Sequence, residues 1–368
     1  MAAYATKVAE GFSQKLLLEM YERSLTDVIV NRDYEGAIND VGSKLNILNF
    51  DRISEKTYSG ANLTVDDITE NNTQLIIDQY KSFYWREKTL SKWLSYIKSP
   101  NSTVMAQKAD ERNKNMDEYV LGLYGDVWAG NRVGTDYTTG TVAVAATTGV
   151  VTGSGTTFTE AMEGLGFKAD GHDTWYRIKT YTSATSITIE DDKDDIDSAY
   201  TGGAISGSST YTIGASTAIE ITTSNLLNKV ALLKQKLDLA ESYGLSAVPD
   251  SDRWLIVPPE FETTLVQSSG VALHVPEAYQ ELVKKGFITM LQGFKVFKSN
   301  RLTGDNTDGY HILAGHPNWC TFAEKLLEVG IEDLTANFGK AYKDLFVYGA
   351  KVADSRRHFA AELFATFA

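Results

Sequence analysis

The chain is 368 residues long, which suits two domains or one domain carrying a large insertion. A 43% hydrophobic and 11% aromatic composition can fill a packed core, excluding disordered and fibrous classes. With 35 basic against 48 acidic residues, net -13, it lacks the basic footprint of a specific nucleic-acid binder or of a protein held on an anionic membrane.

No stretch approaches the run of about 20 apolar residues that a membrane span needs. The first residues lack the basic start and continuous apolar run of a secretory signal. The single cysteine, Cys320, excludes an internal disulfide and a cysteine-rich zinc site. The expectation is a soluble acidic protein, made in a reducing cytosol or indifferent to redox.

Residues 5–30 read as an amphipathic helix carrying Phe12, Leu16, Leu17, Met20 and Tyr21, followed by a polar arm at 31–36. Residues 44–53 and 73–86 read as two strands joined by a polar loop, 54–72. A loop of that length is functional or disordered. A helix is predicted after Pro100, with Met105, Ala109, Met116, Tyr119, Val120, Leu123 and Val127 at helical spacing, ending near Trp128. Its other face is charged, with Lys108, Asp110, Glu111, Lys114, Asp117 and Glu118.

The composition then changes sharply. Between residues 139 and 214, 34 of 76 residues are Gly, Ser or Thr, and one is leucine, Leu165. The apolar period becomes two, as in Thr185-Ser186-Ile187-Thr188-Ile189, with glycine turns between short strands. This reads as a small all-β insertion whose ends, near Tyr137 and Ser216, lie close together. A second helix follows over 224–243, striped by Leu226, Val230, Leu233 and Leu237 and stopped by Gly244. A strand at 254–257 leads into a short helix opened by Pro258-Pro259. Further strands are predicted at 294–298, 310–314, 345–352 and 358–366. The fold class is α+β with one long helix.

No catalytic constellation stands out. His316 and Cys320 are four apart, but a metal site needs three or four ligands. The run Asp191-Asp192-Lys193-Asp194-Asp195-Ile196-Asp197 lacks the alternation and glycine of a calcium loop and reads as a solvated acidic loop. Gly153-Ser154-Gly155 has no following Gly-Lys-Ser/Thr and reads as a turn, not a phosphate loop. No catalytic, cofactor-binding or metal residue is assigned, and the chain is not read as an enzyme.

An isolated hairpin is marginal in water, and one with a long polar tip more so. The hairpin at 44–86 either packs on this chain's own core or reaches across a neighbouring subunit. Two extended appendages around a modest α+β core point to an assembly subunit.

Four segments in the last third then carry a resemblance. They are Arg253-Trp254-Leu255-Ile256-Val257-Pro258-Pro259-Glu260-Phe261-Glu262, Gly293-Phe294-Lys295-Val296-Phe297-Lys298-Ser299-Asn300, His311-Ile312-Leu313-Ala314-Gly315-His316 and Phe346-Val347-Tyr348-Gly349-Ala350-Lys351-Val352. In this order they resemble the major capsid proteins of tailed bacteriophages. Upstream, Thr57-Tyr58-Ser59-Gly60, Val65-Asp66-Asp67-Ile68 and Leu75-Ile76-Ile77-Asp78-Gln79-Tyr80-Lys81 are similar to the same family. The sequence departs from it at Asp344, where glycine is expected, and over 354–358, where a proline is missing. The insertion resembles a small β domain of many phage virion proteins.

The resemblance implies the Hong Kong 97-type fold. Residues 1–43 would be the N-terminal arm, 44–86 the extended hairpin (E-loop), and 87–133 the peripheral domain with its spine helix. Residues 134–216 would be the insertion domain, 217–300 the axial domain, and 301–368 the closing strands of both domains. It implies a shell subunit that assembles through hexamers and pentamers into the icosahedral head of a tailed phage, in the host bacterial cytoplasm. Its partners would be copies of itself, a scaffolding protein, a portal and a decoration protein, around double-stranded DNA that it does not bind specifically. At the hairpin tip, Lys56, Tyr58, Asn62, Asp66 and Asp67 are the expected inter-subunit contacts. The alternative is a tail or host-adhesion protein carrying the same β module.

Overall fold

The computed structural model describes residues 24–33, 44–50, 70–88, 100–192, 199–243, 245–268, 290–334 and 338–368. In chain order these form α1 (Thr26–Ile29), β1 (Lys44–Phe50), β2 (Glu70–Ile76), β3 (Gln79–Lys88), α2 (Pro100–Leu121), β4 (Arg132–Val133), β5 (Thr135–Tyr137), β6 (Thr141–Val144), β7 (Val150–Ser154), β8 (Gly166–Ala169), β9 (Tyr176–Ser183) and β10 (Ser186–Asp191). Then follow β11 (Ile205–Ser209), β12 (Tyr211–Thr217), β13 (Ile219–Ile221), α3 (Leu226–Asp238), β14 (Trp254–Val257), α4 (Pro259–Gln267), β15 (Met290–Leu291), β16 (Phe294–Lys298), β17 (Gly304–Asp305), β18 (Gly309–Gly315), β19 (Thr321–Asp333), β20 (Gly339–Lys351) and β21 (Ala360–Phe367). The expected helix over 5–30 lies outside the described residues except for its end, where α1 gives way to extended chain at Val30.

Two compact units result, one of residues 1–120 and 320–351, the other of 121–319 and 352–368. The first is built on the antiparallel sheet β19-β20-β3. Met105, Ala109, Met116 and Val120 of α2 are buried in it. So are Lys108, Arg112, Asn113 and Asp117, which corrects the reading of Lys108 and Asp117 as part of a charged outer face. The helix is 22 residues long, about 33 Å at 1.5 Å per residue. It gives way at Gly122 to a 3-10 turn, Gly122–Asp126, short of the predicted end near Trp128. Glycine in a helix interior costs about 1 kcal/mol, and Gly122 and Gly125 fall together here.

The strand predicted over 73–86 is two strands. β2 pairs with β1, from Lys44 opposite Ile76 to Phe50 opposite Glu70. β3 pairs instead with β20, from Gln79 opposite Tyr348 to Lys88 opposite Gly339. The chain changes partner at Ile77-Asp78, which sequence periodicity cannot show because both halves keep period two.

The second unit holds two sheets. The first, β11-β6-β7-β10-β9-β8-β12-β5, encloses an apolar core that includes Val151, Phe158, Phe167, Ile187, Tyr211 and Ile213. Thr135 of β5 lies opposite Thr217 of β12, so the chain enters and leaves this sheet at one place. The second sheet is mixed, in the order β13-β21-β18-β14-β16-β15. Trp254, Leu255, Ile256 and Val257 are all buried, as a strand covered on both faces requires. α3 buries Leu226, Val230, Leu233 and Leu237, the predicted stripe. α4 opens on Pro259, as Pro258-Pro259 predicts.

Candidate functional site

In the first unit the stem of the hairpin is seated on the sheet. Ile47, Leu75 and Ile77 pack with Ala323 and Val347, flanked by Leu327 and Leu345. Burying three aliphatic side chains contributes about 1.5–3 kcal/mol each, enough to order a marginal two-stranded stem. The fit depends on Gly349. A Cβ there would lie 2.5 Å from the Ile76 carbonyl oxygen and 3.1 Å from the Ile77 Cα. Of the two readings of the hairpin, packing on the chain's own core holds for the stem. The expected contacts Lys56, Tyr58, Asn62, Asp66 and Asp67 fall in 51–69, outside the described residues.

Beneath the stem, helix and sheet are joined by charge. Arg112 Nη2 lies 2.7 Å from Asp344 Oδ1, and the same oxygen accepts the Phe83 N–H at 2.9 Å. The Arg112 guanidinium sits 5.0 Å from the Phe83 ring and 4.8 Å from that of Phe346. Lys108 Nζ lies over Phe83 and Trp85 at 4.9 and 5.3 Å. Burial pushes the Lys108 ammonium down to about 8, against the opposing pull of Asp344. Burial also lowers Arg112, again opposed by Asp344. Asp344 is therefore the counter-ion of a buried cationic pair, which accounts for a carboxylate where the family resemblance led us to expect glycine.

The segment 24–33 straps across the same unit. Asp117 Oδ1 accepts the Thr26 hydroxyl at 2.7 Å, the Thr26 N–H at 3.2 Å and the Ser24 hydroxyl at 3.3 Å. Asn31 bridges to β19, donating its N–H to Cys320 O and accepting from Phe322 N–H, both at 2.9 Å. Arg32 reaches Asp27 at 2.7 Å and Glu324 at 3.0 Å.

Around these tied segments, aromatic side chains stand in solvent. Tyr84 on β3 is 68% exposed, and Phe338, beside the β19–β20 turn, is 91% exposed. Aromatic rings on a sheet's open face and at a hairpin tip are what contact surfaces use. β3 is also an outer strand with an unpaired edge among the described residues, and such an edge recruits another chain unless it is blocked.

In the second unit, one buried ion pair ties the end of β10 to the segment before β21. Asp192 Oδ1 lies 2.7 Å from Arg357 Nη2, and its Oδ2 accepts the Ala129 N–H at 2.9 Å. Asp191 accepts the N–H and hydroxyl of Thr201, each at 2.9 Å. The acidic run therefore begins with two engaged carboxylates, which corrects its reading as a solvated loop; 193–198 lie outside the described residues. A cleft of about 610 Å³ opens beside the seam. On its walls Glu362 takes His311 at 2.6 Å and Arg132 at 3.5 Å, while Glu190 takes Arg177 at 2.7 Å and Lys179 at 3.6 Å. Both of these carboxylates are matched by cations, so neither offers a free charge for a ligand to neutralise.

No family model matches the sequence, and no curated protein matches it. Solved structures do match. The chain superposes on one from Mycobacterium phage Che8 with a TM-score of 0.55 at 16% identity, covering 93% of this chain and 91% of that one. It superposes on the capsid structure of the cyanophage P-SCSP1u with a TM-score of 0.52 at 14% identity, covering 94% and 89%. It superposes on the capsid of Ralstonia phage GP4 with a TM-score of 0.51 at 10% identity, covering 93% and 91%. The chain has the fold of phage capsid chains.

Within this capsid-type fold, sequence reasoning missed the residues that fasten its parts. Lys108 and Asp117 look like solvent-facing charges by spacing alone. The departure at Asp344 marked the position, but only its burial against Arg112 in the structure gives the reason for it. The other missed device, Gly349, appears in the sequence only as one glycine among 29.

Proposed function

We propose that this chain is the major capsid protein of a tailed phage, assembling through hexamers and pentamers into the icosahedral head. The observation that carries the reading is superposition over nine-tenths of the chain on capsids of other phages. The surfaces support it. The hairpin stem is docked on the sheet, an outer strand has an open edge among the described residues, and the Tyr84 and Phe338 rings are exposed.

In this reading the fold is of the Hong Kong 97 type. Residues 1–43 are the N-terminal arm, 44–86 the extended hairpin, and 87–133 the peripheral domain with α2 as its spine. Residues 217–300 form the axial domain, with 301–368 returning to both. Lys56, Tyr58, Asn62, Asp66 and Asp67 touch the neighbouring subunit. The insertion, 134–216, is a contact module that takes a decoration protein or braces the capsomer. Work is done by burial at repeated interfaces, and no bond is made or broken. A net charge of -13 suits a container that must release its DNA. Scaffolding protein and portal are the remaining partners, and the virion shell is the location.

The test is negative-stain microscopy with light scattering, on the intact chain and on one with residues 53–67 replaced by a short Gly/Ser turn. Closed shells, or five- and six-fold rings, from the intact chain and none from the variant are expected. A stable elongated trimer would refute the capsid reading in favour of a tail protein.

A further inference from the structure

Among the described residues, β2 of the hairpin runs into β3 through two residues, Ile77 and Asp78. Three elements grip them. The Tyr119 hydroxyl of α2 donates to Asp78 Oδ1 at 3.0 Å. The Tyr80 hydroxyl of β3 donates to Ile77 O at 2.7 Å. Gly349 of β20 lets the backbone at 76–77 lie directly on that strand. The Tyr119 ring is itself fixed edge-on against buried Tyr348, centroids 5.5 Å apart and planes at 79°. Burial and the Asp78 charge raise the Tyr119 phenol, so it remains a donor at any physiological pH.

The placement is informative because burial does not require it. Asp78 is exposed, and the apolar seat of Ile47, Leu75 and Ile77 would hold the stem against the sheet without a carboxylate there. An apolar seat resists lifting but is non-directional and resists tilting poorly. A hydrogen bond from a ring locked in the long helix supplies direction. It sits at the base of the stem, so a small rotation at Asp78 becomes a larger displacement at the far end of the stem, where Phe50 pairs with Glu70.

We infer that Asp78 and Tyr119 form a fulcrum that sets the tilt of the hairpin against α2, making both positioning residues for assembly. This rests on the capsid reading. A subunit used in both five-fold and six-fold rings must offer its loop at defined angles, and a tie between hairpin and helix makes their movements concerted.

The test uses the full-length chain, the single variants Tyr119→Phe, Asp78→Ala and Asp78→Asn, and a double variant combining Tyr119→Phe with Asp78→Ala. Amide exchange is measured on the unassembled chain. Stem amides at 45–49 and 71–75 should exchange about tenfold faster in Tyr119→Phe and Asp78→Ala, the loss of one hydrogen bond to a charged group. Melting temperature should stay within about 2 °C, since an exposed carboxylate and one hydroxyl carry little of the global stability. The double variant should be no worse than either single one, and Asp78→Asn, which keeps an acceptor, should recover most of the protection. On assembly, Tyr119→Phe and Asp78→Ala should give particles of mixed size or open sheets where the parent gives one size. Parental exchange rates in the single variants, or additive effects in the double one, would overturn the fulcrum. Failure of the parent chain to form shells would instead count against the capsid reading, and the exchange result would still decide the fulcrum.

Discussion

Arg112 and Asp344 meet 2.7 Å apart between the long helix and the central sheet, at 2% and 4% exposure. Breaking a buried pair by removing one partner leaves an uncompensated charge and typically costs about 3–5 kcal/mol. Asp344→Ala should therefore lower the urea midpoint sharply. Arg112→Met should cost less, because Asp344 keeps the Lys108 ammonium as a counter-charge and the Phe83 N–H as a donor. The double substitution Arg112→Met with Asp344→Leu should regain part of the loss, since an apolar pair suits the Phe83 and Phe346 rings already present, while Lys108 still loses the pull of Asp344. A double variant as unstable as Asp344→Ala would show that the pair is more than a fastening.

Gly349→Ala separates docking of the hairpin from folding of the sheet. The new methyl would meet the Ile76 carbonyl at 2.5 Å, so the strand corner must lift away from β20. Overpacking of this kind costs about 1–3 kcal/mol, and it should fall on the hairpin. Faster amide exchange at Leu75 and Ile77, with β19 and β20 amides unchanged, is the expected result. Uniform acceleration across the sheet would show that the corner and the sheet unfold together.

Much of the second unit was legible in the sequence. The runs at Trp254–Val257 and Phe294–Lys298 and the stripe of α3 carry strong local signals, and the structure agrees with them. β19 was not legible. Its first half, Phe322-Ala323-Glu324-Lys325-Leu326-Leu327-Glu328, is composed largely of good helix formers. Pairing with β20 along its length overrides that preference. The same limit hid the fastening residues. Periodicity assigns Asp117 to solvent, and only a non-local partner, the Thr26 hydroxyl 91 residues away, reveals why it is buried. The loop residues Lys56 to Asp67 rest on the resemblance alone.

Acid should weaken the second unit through His358. Burial drives its imidazole down to about 4, against a partly offsetting hydrogen bond to Ser246. The unfolded chain takes up this proton near pH 6.5 and the folded chain only near 4. The His358 contribution is therefore constant above about pH 6.5 and falls as pH drops toward 4, at roughly 1.4 kcal/mol per unit at most. Urea midpoints at pH 7.5, 5.5 and 4.5 measure it. His358→Gln should be less stable at pH 7.5 but should flatten the slope. An unchanged slope would assign acid sensitivity to other groups.

The last prediction contrasts one substitution with a large deletion. Asp192→Ala in the intact chain strands the buried Arg357 guanidinium, leaving its Nε bond to Asp126 O as the compensation. The expected cost is about 3 kcal/mol. Replacing residues 138–213 with a short Gly/Ser linker removes Asp192 as well, but it also uncovers Arg357 to water, which solvates the charge. Thr135 and Thr217 are already paired, so the linker spans a short gap without pulling on β4 or β13. The deletion should melt higher than Asp192→Ala when both are followed by the circular dichroism of the remaining core, in which the Trp254 and Trp319 rings stay 5.9 Å apart. If the deletion melts lower or fails to fold, the eight-stranded sheet supports the core through more than its buried ion pair.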